Sequence, residues 1–595
     1  MTNPLRNETT SDTLPSWDLG DLYQSPEDPN LRTDIAKAEA LAAAFRKKYM
    51  GNVGTLTADD LAEAIKAYEE LTDLSGKFSC YAQLLYAADM ATPEHGIFYQ
   101  NMMEKSSDIS VTVLFFTLEL NKIDDKHLSR HLEASESLRH YEPWIRDLRA
   151  FKPYQLADDM EELLHEKNIT GAASWNRLFD ETLAGLLFPF DKEQLGCAEI
   201  INLLSSPDAE TRKKAGLSIG KVLAANGKTF SLITNVLAKD KEIEDKWRNF
   251  AEPISSRNLA NFIEDDVVNN LIETVKNNYP KLSHRYYRIK AKWFGVKKLA
   301  YWDRNAPLPS ADEEAISWDE AVKMVLASYR AFSPELADIG QQFFDNNWID
   351  AVPRKGKESG AFAHPVVPSA HPYLLLNYLG KSRDVMTLAH ELGHGIHQVL
   401  AGKQQGALMC DTPLTLAETA SVFGEQLTFR SLLEKEKDER KRQIMIAGKV
   451  EDMLNTVVRQ VAFCEFERVV HAERQNGELS QARICDIWMD VQEESLGDAF
   501  SFDISYKYYW TYISHFIHAP FYVYAYAFGD CLVNALYGQY LKQPKGFQEK
   551  YITMLKAGGS LRHTELLAPF GLNAKDPQFW QTGINVISDF IDQIE

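Results

Sequence analysis

Cysteine is scarce in this chain, and its cysteines lie far apart in the sequence. The six are Cys80, Cys197, Cys410, Cys464, Cys485 and Cys531, and no two of them form a CxxC pair. A thiolate zinc site usually contains such pairs, and a disulfide-stabilised domain is much richer in cysteine. We therefore expect neither a disulfide framework nor a cysteine-ligated zinc site.

An excess of positive charge and a long uninterrupted apolar run are also missing. Lys and Arg number 64 against 85 Asp and Glu, a formal net charge of −21, which argues against a nucleic-acid partner. The longest apolar run, Phe521 to Tyr537, is interrupted by Asp530 and Asn534, which favours a buried helix over a membrane span. The N-terminus is polar and lacks the apolar core of a signal peptide. The protein is expected to be cytoplasmic, without a membrane partner.

The rest of the composition is that of a globular protein, and its periodicity predicts helices. From Asp34 to about Asp350, apolar residues recur at spacings of three and four. We expect residues 1–16 to be a disordered lead-in and residues 17–205 to form an N-terminal helical region. A break near residues 205–207 would separate this region from residues 206–595. The predicted fold class is mainly α.

The helical pattern changes at Val352, where glycine and proline surround short apolar pieces. Ala361-Phe362 and Tyr373–Tyr378 are predicted as two short strands, forming a hairpin just before the next helix. Two interpretations remain open. An exposed strand edge beside an active site can pair with an extended peptide, whereas a hairpin packed on helices has no such role.

The stretch from Thr387 to Gln398, TLAHELGHGIHQ, contains the pattern His390-Glu391-x-x-His394. On a helix, residues four apart lie on one face, so both imidazoles can reach one metal ion and Glu391 can reach a water molecule beside it. Ser382 is a predicted N-cap and Gly402 a predicted helix end. At about 100° per residue the apolar positions share the face opposite the histidines; they are Val385, Leu388, Leu392, Ile396 and Val399. The alternative is a solvated polar face with incidental histidines.

A third protein ligand is expected, because catalytic zinc usually has three and an open position. The residues after the motif exclude the HExxHxxGxxH class, since His397 and Leu400 stand where glycine and histidine would be needed. The acidic candidates in DTPLTLAETASVFGEQL are Asp411, Glu418 and Glu425. Glu418 is favoured because its apolar surroundings make an unpaired carboxylate unfavourable. Its alternative role is a capping box with Thr415, and Glu425 is a candidate acceptor for a ligand imidazole.

A centre of His390, His394 and Glu418 predicts one Zn²⁺ per chain, although cobalt or manganese can substitute in such a site. Glu391 would act as general base. The oxyanion then needs a second hydrogen-bond donor, and the segment Ser505–Cys531 is the richest in tyrosine. Its candidates are His515, His518, Tyr522, Tyr524 and Tyr526. Such an aromatic cluster can equally belong to the core.

The motifs HELGHGIHQ, LAETASVFGE and SHFIHAPFYVYAYAFG together resemble the zinc oligopeptidases of the oligoendopeptidase F and thimet oligopeptidase type. WDLGDLY at Trp17–Tyr23 and TGAASWNRLFDE at Thr170–Glu181 agree, and the similarity is greatest to the bacterial oligoendopeptidase F branch. The resemblance implies a large helical ellipsoid with a deep channel for short peptides, with residues 206–595 as the catalytic region. It implies His390, His394 and Glu418 as zinc ligands, Glu391 as base and a supporting role for His397. It also implies late His and Tyr residues at the oxyanion, for which His515 and Tyr522 are favoured.

The leading hypothesis is therefore a zinc endopeptidase that hydrolyses internal bonds of short peptides. One alternative is an exopeptidase with the same metal centre, which should bind a terminal carboxylate or amine with a fixed charged group. Another is a helical peptide-binding protein without activity. Oligomeric state, cleavage preference and physiological substrate have no recognisable counterpart in the sequence.

Overall fold

The computed structural model describes residues 14–308 and 315–595, and most of these residues are helical. The mainly α class predicted from the sequence is confirmed. Residues 1–13 of the predicted lead-in lie outside the described residues. Within residues 14–16, the Pro15 carbonyl accepts a hydrogen bond from the Ala351 amide at 2.8 Å.

The helices follow one another along the chain with short connections between most of them. The first eight are α1 (Pro29–Tyr49), α2 (Ala58–Ala88), α3 (Pro93–Lys122), α4 (Asp125–Ala134), α5 (Glu136–His140), α6 (Glu142–Ala150), α7 (Asp158–Asn168) and α8 (Ala172–Ala184). They are followed by α9 (Cys197–Asn202), α10 (Ala209–Arg248), α11 (Ser255–Ala260), α12 (Asp265–Asn278), α13 (Ser283–Trp293), α14 (Trp318–Phe332) and α15 (Pro334–Asp345). The last ten are α16 (Ser382–Gln405), α17 (Leu414–Lys435), α18 (Glu439–Thr456), α19 (Val458–Arg474), α20 (Gln481–Leu496), α21 (His515–His518), α22 (Tyr524–Lys542), α23 (Phe547–Lys556), α24 (His563–Leu567) and α25 (Pro577–Asp592).

The described chain divides into two compact units, each assembled from segments that are far apart in sequence. Unit 1 consists of Met1–Lys152, Glu313–Lys435 and Gln539–Gly571, so far as these are described. Unit 2 consists of Pro153–Asp312, Glu436–Gly538 and Leu572–Glu595, again within the described ranges.

Capping side chains explain where several helices begin. Asp208 accepts from the Thr211 amide at 2.8 Å ahead of the long helix α10, and Thr57 accepts from the Asp60 amide at 3.2 Å ahead of α2. These bonds satisfy amides that have no partner within the helix. At the other end of α10, Asn249 takes a left-handed conformation with φ of 62° and closes the helix.

The strands are short and lie in small sheets. They are β1 (Phe188–Phe190), β2 (Glu193–Leu195), β3 (Leu299–Ala300), β4 (Ile349–Asp350), β5 (Phe362–His364), β6 (Tyr373–Leu375) and β7 (Phe500–Ser501). In unit 1 the order is β4-β6-β5, with β4 parallel and β5 antiparallel to β6. In the antiparallel pair, Phe362 lies opposite Leu375 and His364 opposite Tyr373. The predicted hairpin before the motif helix is therefore confirmed, although both strands are three residues long.

Buried aromatic and aliphatic side chains form the core of each unit. In unit 1, Phe332 packs edge-on against Tyr551 with ring centroids 5.5 Å apart, and Phe423 lies 4.5 Å from the same ring. In unit 2, nearly all residues of helix α22 from Tyr524 to Tyr537 are buried, as predicted for the run Phe521 to Tyr537. Within residues 14–308 and 315–595, none of the helices combines the length and the apolar character needed to cross a bilayer.

Candidate metal centre

Helix α16 carries the HExxH motif and is held by a buried apolar face. Val385, Leu388 and Leu392 are completely buried, and Ile396 is 1% exposed, as the periodicity predicts. The Asp384 carboxylate accepts from the Lys381 amide at 3.0 Å and from the Leu379 amide at 2.8 Å, which fixes the start of the helix. Both predicted ends of this helix were wrong. Ser382 is the first helical residue and Lys381 the N-cap, and the helix continues past Gly402 to Gln405 and closes at Gly406, whose φ is 71°.

Helix α17 begins at Leu414 and carries Glu418 on its second turn. Thr415 therefore lies inside the helix, and its hydroxyl oxygen has no hydrogen-bond partner among the described residues. The alternative capping box between Thr415 and Glu418 is wrong, because a capping residue must precede the first helical residue. The Glu418 side chain is free of that local role.

Two glycines let α16 and α17 approach closely. A Cβ atom on Gly393 would lie 2.6 Å from the Ala420 carbonyl oxygen and 2.7 Å from the Ser421 Cα. A Cβ atom on Gly424 would overlap the hydroxyl of Tyr329, which itself donates to the Ala389 carbonyl at 2.9 Å. Because backbone atoms cannot move aside as a flexible side chain can, the short distance between these helices requires glycine.

This close packing brings Glu418 to the two motif histidines. Glu418 Oε2 lies 3.4 Å from His390 Nε2 and 3.5 Å from His394 Nε2. One nitrogen or oxygen atom from each residue falls within 4.8 Å of the other two. The predicted trio thus converges in unit 1, with each side chain about a quarter exposed or less.

The three side chains fit a tetrahedral divalent metal ion. Donor atoms about 2.0–2.1 Å from a tetrahedral zinc lie roughly 3.3–3.4 Å from one another, close to the separations within this trio. Two imidazoles and one carboxylate are also a common donor set for catalytic zinc. A tetrahedral ion held by these three donor atoms would have a fourth coordination position that none of the three residues fills.

Hydrogen bonds behind the trio orient the donor atoms. His390 Nδ1 lies 2.6 Å from Glu425 Oε1 and donates its proton to that carboxylate, which leaves Nε2 on the side of Glu418 as the nitrogen that can bind a metal ion. The Ser421 hydroxyl donates to Glu418 Oε2 at 2.7 Å. Sequence reasoning identified Glu425 as a candidate acceptor. It missed Ser421, for which no local signal exists.

The two imidazoles differ in protonation because their partners differ. Burial acts to lower the pKa of His390, but the hydrogen bond and charge of Glu425 outweigh it and raise the pKa to about 9. For His394 no such hydrogen bond is found among the described residues, and burial lowers its pKa to about 4 despite the charge of Glu418. His394 is therefore a neutral imidazole at pH 7.

Glu391 lies beside the trio and is 6% exposed. Burial raises its pKa to about 7, with the charges of Glu418 and Glu425 acting in the same direction and that of His390 opposing them. A carboxyl group with a pKa in this range can accept a proton and later release it near neutral pH. The side chain is thus suited to proton transfer.

Two other predicted residues stand outside the trio. Asp411 lies in the loop between α16 and α17 and is exposed. It is not in the group of side chains that could hold a metal among the described residues. His397 is 5% exposed, and its Nε2 lies 3.3 Å from the Thr412 hydroxyl, a contact that ties the same loop to α16.

The predicted aromatic segment belongs to unit 2, and its five candidates have different surroundings. His515 Nε2 lies 3.3 Å from the Tyr526 hydroxyl, and its ring stacks on Tyr522 with centroids 5.8 Å apart. His518 instead pairs with Asp180 at 2.8 Å. Tyr524 is fully buried and accepts a hydrogen bond from Asn261 at 2.8 Å, which makes it a core residue. The structure therefore groups His515 with Tyr522 and Tyr526.

The fold and this site together define a class of proteins: mainly helical chains in which an HExxH helix and a following helix form a two-histidine, one-carboxylate centre. Two family models match the sequence. The model described as "Peptidase family M3" covers residues 202–586, and the model described as "Oligopeptidase F" covers residues 119–188.

Individual relatives match along nearly the whole chain. "Oligopeptidase PepF" of Bacillus subtilis is 26% identical over 591 residues, covering 98% of this chain and 87% of the relative. "Oligoendopeptidase F homolog" of Borreliella burgdorferi is 28% identical over 585 residues, covering 97% of each chain. A solved structure of oligoendopeptidase-F from Enterococcus faecium has a TM-score of 0.70 at 21% identity, covering 95% of this chain and 96% of the other.

The chain belongs to peptidase family M3, because that family model covers more than half of it. It is an enzyme of the metallopeptidase class. The resemblance indicated by the sequence motifs is confirmed.

Proposed function

We propose that the chain is a zinc-dependent endopeptidase that hydrolyses internal bonds of short peptides. The observation that carries the proposal is the convergence of His390, His394 and Glu418, with donor atoms 3.4 and 3.5 Å apart, beside a buried Glu391. The relatives named oligopeptidase and oligoendopeptidase support peptides as the substrate class. One zinc ion per chain would be held by these three side chains.

When bound, zinc polarises the peptide carbonyl and makes a water molecule acidic near neutral pH. Glu391 accepts the proton of the attacking water and then delivers it to the leaving amine, which its raised pKa favours. Glu425 keeps the proton on His390 Nδ1 and so holds that ring in one tautomer. We propose His515 and Tyr522 as hydrogen-bond donors to the carbonyl oxygen as its negative charge develops.

All of these residues lie within residues 206–595, which we propose as the catalytic region, with residues 17–205 as an N-terminal helical region. A deep channel that admits peptides and excludes folded proteins, and a cytoplasmic location, remain predictions from the resemblance.

Cleavage of peptides blocked at both ends tests the proposal directly. An internally quenched peptide with acetylated and amidated ends should be cut at an internal bond, and removal of the metal with a chelator should abolish the cutting. Metal analysis of the untreated protein should find one zinc per chain. Cleavage restricted to peptides with free ends would instead favour the exopeptidase alternative, and an inert protein that binds peptides would favour the non-catalytic one.

A further inference from the structure

Two arginines in unit 2 approach the same tyrosines without a carboxylate partner. Arg304 follows the short strand β3, and Arg459 lies in the first turn of α19. Within residues 14–308 and 315–595, no carboxylate oxygen lies within 4.0 Å of either guanidinium, whereas Arg212 and Arg248 of the same unit each pair with a carboxylate. Arg459 contacts the face of Phe463, with its guanidinium 5.1 Å from the ring centroid.

Tyr287 and Tyr506 connect the two guanidiniums. Both arginines act electrostatically on both tyrosines, with the effect of Arg304 the larger on each hydroxyl. Arg459 Nη2 also lies 3.5 Å from the hydroxyl of Tyr512. The two arginines therefore lie in one small region of unit 2, packed beside these aromatic side chains.

Hydrogen-bond donors in this region lack acceptors. The Nε atoms of Arg304 and Arg459 are buried and have no hydrogen-bond partner among the described residues. The same holds for Nε2 of Gln492, whose Oε1 accepts from the Tyr506 hydroxyl at 2.9 Å. Buried hydrogen-bond donors without an acceptor are uncommon in native proteins. A bound ligand that supplies an acceptor is one explanation for them.

The surrounding groups cannot neutralise the two positive charges. Burial raises the pKa of Tyr506 to about 12, so its hydroxyl stays neutral at pH 7. The nearby carboxylate of Glu451 is already committed to Lys290 Nζ at 2.5 Å and to the Tyr286 hydroxyl at 2.6 Å. Glu451 is therefore not available to either guanidinium.

Arg304 and Arg459 are each intermediate between buried and exposed, so part of each residue reaches the protein surface. A carboxylate suits this arrangement, because a planar guanidinium donates two parallel hydrogen bonds to its two oxygens. We propose that Arg304 and Arg459 form a carboxylate-binding site in unit 2, which takes a carboxylate group of a peptide. Only the identification of the ligand as a peptide rests on the proposed function.

Equilibrium binding of matched peptides tests the site. The probe is a fluorescent peptide with neutral side chains and a blocked N-terminus, made with a free C-terminal carboxylate or a C-terminal amide. The protein is the full-length Glu391→Gln variant with its metal, read by fluorescence anisotropy. The free acid should bind about tenfold more tightly than the amide, as expected for a charge-assisted hydrogen-bonded pair.

In Arg304→Gln or Arg459→Gln the ratio of the two affinities should fall below about twofold, while the affinity for the amide stays unchanged. Arg288→Gln is the matched control, because Arg288 is an exposed arginine of unit 2 paired with Asp498, and it should keep the full ratio. Arg304→Lys and Arg459→Lys retain the positive charge and should keep part of the affinity ratio. These lysine variants also serve if a glutamine variant fails to fold, as judged by its melting curve.

A third peptide, amidated but containing one glutamate, distinguishes the source of the carboxylate. Tight binding of this peptide assigns the site to any carboxylate, and weak binding assigns it to the C-terminus. Equal affinity for free acid and amide in the parent protein would overturn the proposal, as would a ratio that persists in both arginine variants. Residual peptide cleavage by the Glu391→Gln variant would contradict the proposed role of Glu391. It would not bear on the carboxylate site, because the binding experiment measures only a ratio of affinities.

Discussion

At the scale of single residues, neighbouring carboxylates have separate roles set by their surroundings. Glu418 points at both motif imidazoles, Glu425 lies 2.6 Å from His390 Nδ1, and Glu391 is buried beside them. All three are glutamates, and they lie on helices α16 and α17. Their contacts predict that each substitution has its own effect on metal content and turnover.

Glu391→Gln should abolish turnover while the metal stays bound. The amide keeps the size of the side chain but cannot accept the proton of the attacking water, a contribution worth about 10²–10⁴-fold in rate. Cleavage of an end-blocked peptide and metal analysis of the same sample check this. Loss of the metal in this variant would mean that Glu391 is a ligand.

Glu418→Ala should lower metal content far more than Asp411→Ala. Glu418 supplies an oxygen 3.4 and 3.5 Å from the imidazole nitrogens, whereas Asp411 lies outside this group. Titration with a competing chelator measures both affinities. Equal losses in the two variants would show that the third ligand is misassigned.

Glu425→Ala should weaken metal binding by about 10–100-fold, without the complete loss expected for a ligand. Its carboxylate lies against the far nitrogen of His390, so its removal frees that ring to rotate and to change tautomer. Glu425→Gln retains an acceptor and should recover part of the affinity. An affinity unchanged in Glu425→Ala would exclude the orienting role.

At the scale of secondary structure, the metal centre depends on how closely α16 and α17 approach. The apolar face of α16 is buried and its imidazoles are carried on the other side, but this helix supplies only two of the three proposed ligands. The third proposed ligand lies on α17, and the helices meet at Gly393 and Gly424, where a Cβ atom would collide with backbone or with Tyr329. Helix packing and metal affinity should therefore change together.

Gly393→Ala should destabilise the fold by about 1–3 kcal/mol and reduce metal affinity, since the new Cβ meets backbone atoms at 2.6 and 2.7 Å. Gly402→Ala is the matched control in the same helix, where the nearest atoms are Pro368 Cβ and Cγ at 3.7 Å. That variant should be neutral or more stable by up to about 1 kcal/mol, because alanine favours helix. Thermal melting and chelator titration measure the two effects, and equal behaviour of both variants would refute the packing argument.

At the scale of the molecule, the pH dependence of stability is affected by a titratable group buried in unit 2. Glu467 of α19 is 2% exposed and accepts a hydrogen bond from the Phe521 amide at 2.8 Å through Oε1. Its Oε2 has no hydrogen-bond partner among the described residues. Burial raises the pKa to about 8, and the charges of Arg257 and Lys241 only partly offset this.

Because the folded-state pKa lies above the unfolded value of 4.5, this site stabilises the fold fully below pH 4.5. That stabilisation is lost as the pH rises toward 8, by an amount on the order of a few kcal/mol. Glu467→Gln keeps the acceptor for Phe521 but cannot ionise. The variant should therefore melt higher than the parent at pH 9 and nearly equally at pH 5. A difference that did not change with pH would contradict the assignment.

Much of the site was predictable because its signals are local. Residues four apart share a helix face whatever surrounds them, so the pairing of His390 with His394 and the apolar stripe of α16 follow from the sequence. The hairpin before α16 was likewise signalled by glycine and proline around short apolar pieces. Helix ends were less predictable: the backbone continued past Gly402, because glycine permits a helix end without requiring one.

The sequence by itself determined the helical class, the HExxH face and the short set of acids from which a third ligand could come, because these depend on spacing along the chain. Only the tertiary structure decided that Glu418 reaches the histidines, that Glu425 lies behind one of them, and that Arg304 and Arg459 share their tyrosines. The physical reason is that such contacts depend on how distant segments pack. In this protein, packing depends on the space at Gly393 and Gly424 and on units assembled from separated stretches of chain.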